Sequence, residues 1–241
     1  MGIMAPKVSR GMKTNKRINV NRLQKEMRSQ LLYSGAGFVG FADISDLRFP
    51  DNAEWRIAIS IGLPYDSKIV DTLDLEIDVF EKHLQETYES MENLLKVCEH
   101  YLRQEGFITQ IHFAKNLAGL LSTFSHKMAA TKAGLGWIGK SSLFVSTKFG
   151  CRVRLATVLT NASFTSGKPV TESQCGDCVE CVKACPYQAI KGATWYPGIE
   201  RDELLDAFLC DRIRNEYIPK LGYKHPCGLC VKACPVGNEK D

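Results

Sequence analysis

The chain has 241 residues, of which 44% are hydrophobic and 24% charged, with a formal net charge of +4. That length and balance suit one sizeable globular domain plus a small one. No run of eighteen apolar residues is present to cross a bilayer, and so mild a charge does not by itself argue for a nucleic-acid partner.

Lys7, Arg10, Lys13, Lys16, Arg17, Arg22 and Lys25 all precede the first acid, Glu26. Residues 1–19 lack the apolar stretch of a secretory signal. They read as a basic tail, either a solvated terminus or an arm that touches RNA or another polyanion. From Val20 to about Tyr33 a helix is expected, with Leu23, Met27, Leu31 and Leu32 on one face and Asn21 as its N-cap. Ser34–Gly37 ends it, and Phe38–Ile44 reads as a short strand. Trp55, Ile57, Ile59 and Ile61 alternate with Arg56, Ala58 and Ser60, the pattern of a strand with one apolar face, closed by Pro64. Phe80, Leu84, Tyr88, Met91, Leu95, Cys98 and Leu102 recur at steps of three and four and predict a long helix. Cys98 lies on its apolar stripe as a small core residue. Ile108–Phe113 reads as a strand, and Thr123–Ala133 as a short helix with Ser125 as cap. Leu143–Ser146 and Cys151–Thr160 read as a hairpin. Cys151, Val153 and Leu155 share one face of the second strand, and Arg152 and Arg154 the other. Asn161–Thr171 reads as a linker rich in Ser, Thr, Gly and Pro. An α/β domain over 20–165 and a cysteine-rich domain over 170–241 follow.

Between the short helix and the hairpin stands Gly134–Ser142, Gly-Leu-Gly-Trp-Ile-Gly-Lys-Ser-Ser. It fits both G-x-G-x-x-G and G-x-x-x-x-G-K-S. Those patterns bind phosphate only where a strand leads into the glycines and a helix follows, so that the helix N-terminus faces the anion. Here the order is reversed. The stretch reads instead as a tight turn that brings backbones together and plants Trp137 in the core. Lys140 is either solvated or turned toward a cleft.

Ten cysteines are present, eight of them from Cys175 onward. In a chain without a signal peptide such a cluster points to metal ligation in a reducing, cytoplasmic setting. Cys175, Cys178, Cys181 and Cys185, followed by Pro186, give the bacterial ferredoxin run for [4Fe–4S] clusters. Cys210, Cys227, Cys230 and Cys234, followed by Pro235, repeat its end with the first ligand moved upstream. In the two-cluster pattern the fourth cysteine of each run serves the other cluster. One cluster then takes Cys175, Cys178, Cys181 and Cys234, and the other takes Cys185, Cys210, Cys227 and Cys230. Structural zinc is the competing use of C-x-x-C pairs, but it does not explain a proline after both runs. Two such clusters form a low-potential electron relay and require a redox partner at each end.

The segments "HKMAATKAGLGWIGKSSLFV", "GCRVRLATVLTN", "CGDCVECVKACPYQAI" and "CGLCVKACP" occur in the order seen in epoxyqueuosine reductases, and the chain resembles that family over about Ser125–Val236. The resemblance implies a nitroreductase-like, corrinoid-type α/β domain followed by a ferredoxin-like double-cluster module. It also implies cobalamin as a further cofactor, reduced by the neighbouring cluster and used to remove an epoxide oxygen from a modified base in a tRNA anticodon loop. A ferredoxin or flavodoxin is the implied electron donor and tRNA the implied partner. Three departures stand out. The family's R-D-Y-H segment, source of a proton-donating aspartate, matches "ETYES" here, so that Glu86, Thr87 and Tyr88 occupy it. His126 and Lys127 fall on the family's Glu-Arg pair. The chain stops at Asp241, before the helical repeats that grip tRNA in the family. Tyr88 and His126 are the candidate proton donors. Gly134, Gly136, Trp137, Gly139 and Lys140, with Arg152 and Arg154, are the candidate cofactor-binding residues. The alternative is an electron-transfer partner protein with no substrate of its own.

Overall fold

Ile57, Ile59 and Ile61 lie at the centre of the fold, each 3% exposed or less. They belong to β2 (Ile57–Pro64), an inner strand of a four-stranded antiparallel sheet ordered β1-β2-β6-β3. The structure is a computed structural model and describes residues 19–49, 54–73, 75–113, 124–217 and 227–237. The basic tail as far as residue 18, and Thr123 at the start of the expected short helix, lie outside the described residues.

The other sheet strands are β1 (Phe38–Asp43), β3 (Thr109–His112) and β6 (Val153–Thr160). Helix α1 (Val20–Tyr33) and the long helix α3 (Ile77–Gln104) cover one face. Met27, Leu31, Met91, Leu94, Leu95, Cys98 and Leu102 meet Ile57, Ile59, Ile61, Ala156 and Val158 there, all nearly inaccessible to water. The cap of α1 is Asn19 and not Asn21: its side chain accepts from Arg22 N at 3.0 Å. A short helix, α2 (Ser67–Asp71), precedes α3; its five residues are too few to show a period. Helix α4 (His126–Lys132) covers the other face, capped by Ser125 as expected. Ala42, Ile44, Ala58, Ala129, Ala133 and Leu159 form that second core. So β2 is buried on both faces over its first six residues, and the side carrying Ala58 and Ser60 is not the solvent face that alternation suggests.

The expected hairpin is corrected. β5 (Phe144–Ser146) pairs with β4 (Gly136–Ile138), which lies inside the supposed turn. β6 pairs with β2 and β3 instead, with Ile59 opposite Val158 and Ile111 opposite the same valine on the far side. Local sequence shows two apolar runs near one another but not which distant strand each will meet. Residues 161–170 are also more than a connector. Ala162 and Phe164 are in the first core, Gly167 N donates to Phe41 O at 2.8 Å, and Val170 N to Thr131 O at 2.9 Å.

Among its described residues the cysteine-rich module holds the helices α5 (Glu180–Lys183), α6 (Arg201–Leu204), α7 (Ala207–Tyr217) and α8 (Leu229–Lys232). Leu229 and Val231 of α8 pack against Val70, Leu73 and Phe80 of α2 and α3. Gly150 closes the seam from the other side. Its φ of +57° is left-handed, and a Cβ there would overlap the Val236 carbonyl. Gly150→Ala is therefore expected to cost about 2 kcal/mol or more in denaturant unfolding. Gly35→Ala, also left-handed but with open space around it, is expected to cost only about 1 kcal/mol.

Candidate metal centre and the polar cluster beside it

The hexapeptide Cys-Val-Lys-Ala-Cys-Pro occurs twice, at 181–186 and 230–235, and both copies fold alike. Each is one helical turn closed by a bond from the second cysteine's N–H to the valine carbonyl, Cys185 to Val182 and Cys234 to Val231, both 3.3 Å. Burial pushes the Cys181 thiol up to about 11, with Cys175, Cys234 and Cys178 adding to it. Burial likewise pushes Cys230 up to about 12, with Cys227, Cys210, Cys181 and Cys185 adding to it. The thiols around Cys181 are the three expected to share its cluster. Those around Cys230 include the three expected with it, and Cys181 marks the two quartets as adjoining. Thiols held protonated by burial and by one another ionise only against a cation placed among them, so this donor set fits iron–sulfur groups. Among the described residues no three His, Cys, Asp or Glu close on one point as a single-ion site.

The Gly134–Ser142 stretch packs onto the first quartet. Trp137 is 3% exposed, and its Nε1 donates to Cys175 Sγ at 3.4 Å. A Cβ on Gly139 would stand 3.5 Å from the same sulfur. Gly136 opens β4 and Gly134 ends α4, one residue past its cap. Lys140 is buried, and its Nζ donates to Gly176 O at 2.7 Å, the residue after Cys175. Cys151, left over from the ligand count, is 5% exposed. Its S–H lies 3.7 Å from Val231 O, and it also bonds to Cys234, which raises the Cys151 thiol and lowers that of Cys234.

Arg152, just ahead of β6, and Arg154, on it, have different surroundings. Arg152 is 1% exposed. Its Nη2 donates to Asp71 Oδ1 at 2.7 Å and to Lys232 O at 3.2 Å, and its Nη1 to Ser67 O at 3.0 Å. It ties α2, β6 and α8 together. Arg154 stacks over Tyr88, 4.4 Å from its ring centroid, with Phe113 at 5.7 Å. It also bonds Tyr65, a residue the sequence reading missed because it follows the closing Pro64 in an unremarkable loop. Burial pushes the Tyr65 phenol up, Arg154 pulls it down and Tyr88 raises it. His126 Nδ1 meets Thr157 Oγ1 at 2.8 Å. Burial, then the positive charge of Arg154 and the nearby His112, push His126 down to about 4. At neutral pH it is an uncharged imidazole. Lys127 is pushed down to about 8 by burial and then by Arg201, and its Nζ donates to Ser142 O at 2.6 Å. Thr87, at the position of the family's acid, is 5% exposed and spends its hydroxyl on His83 O at 2.7 Å.

One strand thus carries both regions. At about 3.3 Å per residue, Arg154 stands about 7 Å along β6 from Arg152, and Thr157 about 17 Å. Among the described residues, β3 pairs β6 only from Thr157 to Thr160, which leaves the edge of Val153–Ala156 next to Arg154 and Tyr88 without a strand partner.

The fold defines a class. A catabolic reductive dehalogenase in complex with 3-bromo-4-hydroxybenzoic acid superposes with a TM-score of 0.69 over 94% of this chain and 34% of its own, at 18% identity. Epoxyqueuosine reductase from Bacillus subtilis superposes at 0.62 over 92% of this chain and 67% of its own, at 20% identity. At those identities the likeness is one of fold, a mixed α/β domain followed by a smaller module. In sequence the chain resembles the epoxyqueuosine reductases in particular. The enzyme from Bacillus cereus is 32% identical over 121 residues, covering 48% of this chain and 30% of the relative. The chain thus matches less than a third of that relative's length. No family model matches, and among the described residues no helix is long and apolar enough to cross a membrane.

Asp71→Ala leaves a buried guanidinium without its carboxylate and is expected to cost about 2 kcal/mol in equilibrium unfolding. Glu26→Ala, which removes the exposed partner of Arg22, is expected to change stability by less than about 0.5 kcal/mol. For His126, the unfolded chain takes up a proton near pH 6.5 that the folded chain refuses until about pH 4. Stability present above pH 6.5 is therefore lost as pH falls through that window, by up to about 3 kcal/mol. Tm measured from pH 7 to pH 4 is expected to fall less steeply in His126→Gln than in the parent; equal slopes would count against it.

Proposed function

We propose that the protein is an iron–sulfur oxidoreductase of the epoxyqueuosine-reductase-like kind, which carries low-potential electrons through two [4Fe–4S] clusters into its α/β domain. The observation that supports this reading is the closeness of the thiols: Cys181 feels Cys175, Cys234 and Cys178, and Cys230 feels Cys227, Cys210, Cys181 and Cys185. When bound, the clusters supply one-electron carriage and a corrinoid supplies the reductive chemistry at the substrate. The corrinoid is supported by the likeness in fold to a reductive dehalogenase described in terms of B12-dependent dehalogenation. The residues that would hold it are Arg154, Tyr88 and His126. Trp137, Gly139 and Lys140 hold the first quartet against this domain. Tyr88, stacked under a guanidinium, is the proton donor of choice, since a neutral His126 gives up a proton less readily. A ferredoxin or flavodoxin is the proposed donor, and a tRNA the proposed substrate carrier, in line with a solved epoxyqueuosine reductase that holds a modified tRNA stem loop.

A second reading is an electron-transfer protein without its own substrate. Thr87 favours it: a hydroxyl that donates to a helix carbonyl does not replace a carboxylic acid in proton delivery.

Anaerobic purification followed by iron, sulfide and cobalamin-binding analysis separates the readings. About eight irons with stoichiometric cobalamin support the first, eight irons without corrinoid affinity support the second, and zinc in place of iron sinks both. The exchanged pairing has its own test. Cys234→Ser is expected to halve the iron and disturb the same spectroscopic centre as Cys175→Ser. Cys185→Ser is expected to disturb the other.

A further inference from the structure

Resting on the iron–sulfur reading above, we infer that Trp137 raises the potential of the group held by Cys175, Cys178, Cys181 and Cys234 above that of the group held by the other four cysteines, so that an electron entering the module comes to rest beside the α/β domain.

Reduction adds negative charge that spreads onto the thiolate sulfurs. A donor aimed at one of those sulfurs stabilises the reduced form more than the oxidised form and raises the potential. The Trp137 indole N–H is such a donor, 3.4 Å from Cys175 Sγ. An indole nitrogen donates only and accepts nothing, so its preference for the electron-rich sulfur is one-directional. The indole is 3% exposed, so water does not compete for the bond.

The geometry is clamped at both ends. Trp137 sits opposite Val145 in the β4–β5 pair. Three residues on, Lys140 Nζ holds Gly176 O at 2.7 Å, fixing the backbone just past Cys175. A second feature acts in the same sense: the buried Arg152 guanidinium lies 3.2 Å from Lys232 O, two residues ahead of Cys234. A positive charge in a dry site favours the more negative oxidation state. The exchange between the two groups moves one electron, oxidises one and reduces the other, and makes or breaks no bond.

The test uses the full chain, reconstituted anaerobically with iron and sulfide and titrated redox-potentiometrically with EPR detection. Trp137→Phe keeps the ring and removes the N–H. It is expected to lower only the higher of the two potentials, so that at the wild-type midpoint the reduced-to-oxidised ratio falls about tenfold, or about 59 mV for one electron. Trp195→Phe, in the same apolar cluster, is expected to leave both potentials in place. Unmoved potentials in Trp137→Phe, or a shift of the lower one, would overturn the assignment. If Trp137→Phe does not hold its iron, wild-type chain labelled with ¹⁵N-indole tryptophan decides. Poised between the two potentials, it is expected to show a ¹⁵N hyperfine coupling in pulsed EPR, and lack of coupling overturns the role of Trp137. Iron and sulfide in the wild-type chain are measured first. A deficit there strikes the iron–sulfur reading itself, whereas a full complement with unmoved potentials strikes only Trp137.

Discussion

The structure depends on one buried charge. Arg152 has almost no access to water and places its guanidinium between the Asp71 carboxylate, the Ser67 carbonyl and the Lys232 carbonyl. A desolvated cation is tolerated only where protein oxygens replace its hydration. Those oxygens come from α2, just ahead of the long helix, and from α8, inside the second cysteine run. The arginine itself stands just ahead of β6, which runs through the middle of the sheet. The cysteine module is thus tied to the α/β domain at Lys232, two residues before Cys234.

Around that tie the contacts agree with one another. Leu229 and Val231 enter the apolar pocket of Val70, Leu73 and Phe80. Trp137, Val145, Cys151, Trp195 and Leu204 form a separate core that spans both parts of the chain. The apolar seam keeps water from the Trp137–Cys175 contact, and the polar contacts fix its register. Position along β6 then separates the tasks. Its N-terminal approach meets the cysteine module, Arg154 meets two tyrosines, and Thr157 holds a neutral histidine. A strand suits this arrangement because its extended rise sets Arg154, on it, apart from Arg152, just ahead of it, and their surroundings differ.

The helices were legible because their apolar positions repeat with the helical period. Leu23, Met27 and Leu31, and Met91, Leu95, Cys98 and Leu102 of the long row, face the sheet as the spacing requires, whereas Phe80 and Leu84 turn toward α2 and α8 and Leu32 is exposed. The hairpin was not legible. Phe144–Ser146 and Val153–Thr160 are both apolar runs, and their separation suits a hairpin. Yet β6 gains more by lying between β2 and β3, where both of its faces are covered. β4 was hidden because its three residues lie in a glycine-rich stretch that also reads as a turn. The segment at 161–170 has the composition of a linker, but Ala162 and Phe164 take it into the core.

By itself the sequence supplied the spacing from which eight cysteine ligands and their division into two sets are expected. Short loops with fixed intervals dictate which thiols can converge, whatever the surroundings. It also excluded a phosphate loop at Gly134–Ser142 from element order alone. Only the tertiary structure decided what that stretch does. The indole of Trp137 reaches a sulfur 38 residues away, Lys140 caps the next carbonyl, and Arg152, which alternation placed on one face with Arg154 as a candidate cofactor-binding residue, is sealed inside. Burial, hydrogen-bond partners and the sign of a pKa shift come from groups distant in sequence. They exist only once the sheet, the long helix and the cysteine module have closed on one another.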